Sequence, residues 1–134
     1  YEVTTQSSDP AVAFPQALRT AIVRATGDRT APDLAALQPL FESPRRYVLL
    51  FKPAASGGLQ VTIDGRALER AIVAGGAALW PREREVLLVG FPSGPVAAAA
   101  IEEALGAAAA ERALPIKFAA SPVAADLAAD AALA

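Results

Sequence analysis

The stretch YVLLFKPAASGGLQVTIDGRALERAIVAGGAALWPREREVLLVGF, residues 47–91, decides the fold. It opens on Tyr47-Val-Leu-Leu-Phe51, five consecutive apolar residues. A short apolar run beside turn residues predicts a strand buried on both faces. Pro53 to Gly58 supplies turn chemistry, with a proline that cannot donate to a ladder and two glycines free to take positive φ. Leu59, Val61 and Ile63 then alternate with Gln60, Thr62 and Asp64, the signature of a half-buried strand. Closeness in sequence makes the two strands an antiparallel hairpin. Asp64 is placed to cap a helix whose inner face is Ala67, Leu68, Ala71 and Ile72. Arg66, Glu69 and Arg70 lie off that face, and Gly75-Gly76 ends the helix. Trp80-Pro81 and the charged turn Arg82 to Glu85 lead to Val86–Val89, a second all-apolar strand predicted to be buried on both faces.

Working outward, Tyr1 to Thr5 reads as a first strand, with Tyr1, Val3 and Thr5 on one face. A helix follows, beginning between Asp9 and Pro15, with Phe14, Leu18, Ala21, Ile22 and Ala25 at helical spacing and Gly27 as its stop. Asp33 to Phe41 predicts a short helix carrying Leu34, Leu37 and Phe41, interrupted by Pro39. After Phe91, Ser93-Gly-Pro95 opens a last long helix, with Val96, Ala100, Ala104, Leu105 and Ala108 as its apolar face. Leu114 to Phe118 is a fifth strand; if it pairs in parallel with Val86–Val89, the segment is a β-α-β unit. Pro122 to Leu133 reads as a short helix or a frayed tail. The fold class is therefore α+β: a single domain over 1–118 with an Ala/Asp-rich tail over 119–134. Its order is β-α-(α)-β-β-α-β-α-β, with a mixed four- to five-stranded sheet and helices mainly on one face.

Composition narrows the function classes. With 134 residues, 54% of them hydrophobic, the chain can bury a core and is not disordered. A net charge of −2 argues against nucleic acid and against a polybasic membrane patch. No apolar run reaches the ~18–20 residues of a membrane span. The chain starts without methionine; a removed signal peptide would explain this, and so would trimming.

There is no histidine and no cysteine, so the common nucleophile–base pairs and the usual zinc or copper sites cannot be built. Ser93 lacks a nucleophile-elbow context and reads as a turn or cap. Glu83/Glu85 and Glu102/Glu103 are the tight acidic pairs and read as solvated surface. Ser56-Gly-Gly58 is a hairpin loop rather than a phosphate cradle, because no Gly-Lys-Ser/Thr follows it. No catalytic residue, metal ligand or cofactor is expected.

One binding constellation stands out. Arg45 and Arg46 precede the first hairpin strand, and Arg82 and Arg84 precede the later one. If those strands are parallel neighbours, four guanidinium groups meet at one sheet end near Trp80 and form an anion- or carboxylate-binding edge. The plainer reading is a charged rim paired with Glu42, Glu83 and Glu85, with Trp80 packed into the core.

Several runs resemble a known family. Leu18-Arg-Thr-Ala-Ile-Val-Arg-Ala-Thr-Gly27 is similar to the L-x-x-V-L-V-R-x-T-G helix of the bacterial domain of unknown function 2066. Tyr47-Val48 with Leu59 to Asp64 and Ala67-Leu68, Leu79-Trp80 with Val86 to Val89, and Ala110 to Pro115 resemble its later segments in order. Pro81, Glu85, Gly90 and Ala113 depart from its pattern, which implies a divergent member. The resemblance implies an exported, periplasmic or envelope-associated protein with no assigned activity. The expected function is a non-catalytic interaction or assembly module with envelope-protein partners. The alternative is a small anionic-ligand binder using Arg45, Arg46, Trp80, Arg82 and Arg84.

Overall fold

The computed structural model describes residues 1–91 and 98–119. The Ser93 turn, Val96 and the 120–134 tail lie outside the described residues. The fold is α+β, and its elements follow the expected order. The chain divides into two compact units, Tyr1–Arg82 and Glu83–Ala134.

The first unit is built on a three-stranded antiparallel sheet of order β1-β3-β2, comprising β1 (Glu2–Thr4), β2 (Val48–Pro53) and β3 (Leu59–Ile63). Val3 stands opposite Val61, and Phe51 opposite Val61 from the other side. Alternation along β3 sends Leu59, Val61 and Ile63 inward and leaves Gln60 and Thr62 half-exposed. Helix α1 (Pro10–Thr26) settles where it starts through Asp9, whose carboxylate accepts a 2.9 Å bond from the Ala11 amide, with Pro10 at the first turn. Pro15 lies inside the helix. Gly27 ends it in the left-handed region, φ 72°, its N–H donating to the Val23 carbonyl. Helix α3 (Gly65–Ala74) is capped by Asp64, which accepts from the Ala67 amide at 3.0 Å. Leu18 and Ile22 of α1, Leu68 and Ile72 of α3, and Val61 and Ile63 of β3 are fully buried and form the heart of one core.

The segment expected as one helix over Asp33–Phe41 is instead 3-10 turns at Ala31–Asp33 and Ala35–Leu37 followed by α2 (Gln38–Glu42). Pro39 has no amide to donate and falls in the first turn of α2, so it starts a helix rather than sitting inside one. Leu37 and Leu40, not Leu34, reach the core.

The second unit pairs β4 (Leu87–Val89) in parallel with β5 (Ile116–Phe118) through α4 (Ala98–Glu111), the expected β-α-β arrangement. The five strands thus fall into a three-stranded and a two-stranded sheet, so the two pairing senses do not share one mixed sheet. Helix α4 ends in a Schellman arrangement. The Leu114 amide reaches the Ala109 carbonyl and the Ala113 amide the Ala110 carbonyl, with Ala113 at φ 52°. The expected inner face of α4 is rotated: Ala109 is buried, whereas Ala104 and Leu105 are exposed.

Both apolar runs expected to be buried on two faces are not. In β2 only Val48 is buried; Leu49 and Leu50 are 65% and 60% exposed. In β4, Leu87 and Leu88 are 54% and 68% exposed. The two faces of a strand are buried by layers packed above and below its sheet, and among the described residues those layers leave Leu49, Leu50, Leu87 and Leu88 exposed.

Candidate functional site

The grouping of Arg45, Arg46, Arg82 and Arg84 rested on β2 and β4 being parallel neighbours in one sheet. β2 pairs with β3, and β4 pairs with β5 in another sheet, so the shared sheet end that would gather them is not formed. Each arginine answers to its own surroundings. Arg45 lies over two rings, 5.9 Å from the centroids of both Phe14 and Phe51, and donates to the Val48 carbonyl at 2.7 Å. Phe14 and Phe51 meet edge to face at 5.1 Å. Arg46 is exposed and makes no side-chain bond among the described residues.

Arg82 forms a two-point pair with Glu69, Nε to Oε1 at 3.0 Å and an Nη to Oε2 at 2.8 Å. The Tyr1 hydroxyl donates to the same Oε1 at 2.9 Å. These donors, the arginine first, hold the Glu69 carboxyl below the usual glutamate value against the opposing pull of partial burial. Arg82 is held correspondingly above its usual value, first by its hydrogen bond to Glu69. Arg84 donates to the carbonyls of Arg112 and Ala113, both at 2.7 Å, and so satisfies the C-terminal end of α4.

Trp80 is a packing residue. Its amide donates to the Ala25 carbonyl at 2.7 Å, and its ring covers Gly27 so closely that a Cβ there would fall 2.0 Å from the ring. Glu83, Glu85 and Glu103 are exposed and Glu102 is half-buried. Among the described residues no three Asp or Glu side chains gather into a metal-binding group.

Two surfaces remain. The first is the outer edge of β2, where Leu49, Leu50 and Phe51 are exposed and the register shifts between Val48 and Leu50. The second is an open groove of about 600 Å³ along α3, lined by Arg66, Glu69, Arg70, Val73, Ala74 and Leu79. The sequence placed Arg66, Glu69 and Arg70 off the inner face of α3 and assigned them no role. The signal that was present is Val73, an apolar residue at the spacing of the polar face.

Among the described residues no helix is long and apolar enough to cross a membrane. No curated protein and no solved structure matches the chain. A family model does match, and it is not the domain of unknown function 2066: the motifs that suggested that family were short and individually unspecific. The expectation of export that rested on that resemblance loses its basis with it. The match covers residues 1–81, which coincides with the first compact unit, Tyr1–Arg82. The chain belongs to the family of the domain of unknown function DUF8605.

Proposed function

We propose that the DUF8605 unit is a non-catalytic docking module and that its partner binds the edge of β2 that no strand pairs among the described residues. One observation carries this reading: a rim strand with Leu49, Leu50 and Phe51 65%, 60% and 40% exposed. Soluble proteins usually protect such edges with charge, proline or bulges, because the unpaired N–H and C=O groups template further pairing. Here Lys52 and Pro53 guard the far end of the strand and a register shift between Val48 and Leu50 interrupts its start, yet Leu49, Leu50 and Phe51 between them stay exposed. An extended partner segment would satisfy those backbone groups, and its side chains would cover the leucines. Such a module needs no nucleophile or general base, in keeping with a chain without histidine or cysteine.

The test is site-specific photo-crosslinking in the native cell, with the photoreactive residue at Leu50 or, as control, at exposed Gln16 of α1. The expected result is one recurring adduct from position 50, absent from position 16 and lost when Leu49→Lys is added. The purified partner should then slow hydrogen exchange along β2. Equal adducts from both positions, or β2 amides whose exchange the partner leaves unchanged, would sink the proposal.

A further inference from the structure

Helix α3 carries a second surface, independent of β2. Its inner residues Leu68 and Ile72 are buried in the core. Its outer side presents Arg66, Arg70 and Val73, spaced by four and three residues, which helical geometry stacks in one row. Val73 is 58% exposed and Leu79 37% exposed, and with Ala74 they form the apolar end of the groove. Two like charges one turn apart repel each other, so this row is mildly unfavourable without a counter-ion. Glu69, three residues after Arg66, is placed by sequence to be that counter-ion. It is already committed: Arg82 takes both of its oxygens, and the Tyr1 hydroxyl shares one. Arg66 and Arg70 make no ion pair and no side-chain hydrogen bond among the described residues. The groove therefore has a cationic end and an apolar end, and its one acid is neutralised from outside.

We infer that this groove binds a small anionic amphiphile. A single carboxylate or phosphate head meets the guanidinium groups of Arg66 and Arg70, and a short alkyl chain lies over Val73, Ala74 and Leu79. Arginine forks suit both heads because their parallel N–H groups match paired oxygens. The volume of about 600 Å³ lies within the range of small-molecule sites. Arg82 is a positioning residue: by holding Glu69 it keeps Arg66 available.

The probes are octanoate and octyl phosphate, each below its micellar concentration, titrated while the α3 amides and Leu79 methyls are followed by NMR. Saturable shifts are expected with at least one of them, and the tighter probe identifies the head. Arg66→Gln/Arg70→Gln should weaken binding about tenfold or more, the loss expected for a charge-assisted bond. Arg82→Ala should weaken it too, with Glu69 released towards Arg66. All the side chains changed are exposed, and unaltered core methyl shifts establish that each variant is folded. Octyltrimethylammonium and acetate should give no saturable shift. The inference is overturned if neither anion saturates, if the cationic amphiphile or acetate binds as tightly as the better anion, or if the double variant binds unchanged. Given saturable binding of an anion, sedimentation with phosphatidylglycerol vesicles distinguishes a lipid source from a free solute.

Discussion

Replacing Gly27 by alanine tests the closure of the family unit most directly. Gly27 does two things at once. It takes φ +72° to end α1, and it leaves room for the Trp80 ring. An alanine Cβ would lie 2.0, 2.3 and 2.7 Å from three ring carbons. Ordinary carbon contacts are about 3.5–4.0 Å, so the ring would have to retreat by about 1.5 Å. The left-handed conformation costs a non-glycine residue about 1–2 kcal/mol. Overpacking of this kind costs a further ~1–3 kcal/mol. The sum, about 2–5 kcal/mol, is a large part of the ~5–15 kcal/mol by which a domain is normally stable. Gly76 is the internal control, because it has φ +79° with nothing within 4 Å of its would-be Cβ. Gly76→Ala should cost only the conformational part, about 1–2 kcal/mol. Urea unfolding gives both numbers, and Trp80, the chain's single tryptophan, reports on the contact through its own fluorescence. Gly27→Ala should shift the emission to the red, and Gly76→Ala should not. Adding Trp80→Ala to Gly27→Ala should recover the overpacking part as a coupling of ~1–3 kcal/mol in a double-mutant cycle. Equal costs at positions 27 and 76, with no coupling to Trp80, would refute the packing of the ring on Gly27.

Three further outcomes follow from the same structure. At Gly58 an added Cβ would fall 1.7 Å from the Thr5 carbonyl oxygen, a backbone atom that cannot swing away, so Gly58→Ala should destabilise by more than ~2 kcal/mol while Gly57→Ala, which meets nothing, costs only its φ of +92°; urea midpoints of the two variants decide this. Ala113 occupies the left-handed C′ position of α4, so Ala113→Gly should slow hydrogen exchange at the end of that helix, with a gain of about 0.5–1 kcal/mol. The Glu69 carboxyl is depressed in the folded state, first by its bond to Arg82. Its contribution is therefore fully present above the unfolded-state value of about 4.3 and is lost as pH falls through the lower folded value. Urea midpoints of wild type and Glu69→Gln should differ modestly at neutral pH and converge in acid, the difference being small because Arg82 is largely solvated.

The elements legible in sequence were those with local causes. Asp64 before a helical pattern, the alternation Leu59-Val61-Ile63, and Gly27 and Gly75-Gly76 at helix ends each carry their reason within a few residues. Pro39 was legible as a problem and proved to be a helix start. What failed was strand burial and strand pairing. Val86–Val89 and Tyr47–Phe51 have the composition of buried strands, yet which faces of a strand are covered depends on what packs on its sheet, not on the strand. The arginine grouping rested on a strand pairing that is likewise not formed. It required β2 beside β4, and strand pairing between distant segments leaves no mark on either one alone.

By itself, then, the sequence determined the α+β class, the order of the elements, the caps and turns, and a composition without the side chains of the commonest catalytic and metal sites. These follow from backbone preferences and hydrophobic period, which act over one or two turns of chain. Only the tertiary structure decided that β2 is a rim strand, that Trp80 closes over Gly27, and that Arg82 draws Glu69 away from Arg66 and Arg70. Those facts depend on which distant segments meet. That is settled by how one core fills its volume, so no window of the chain contains it.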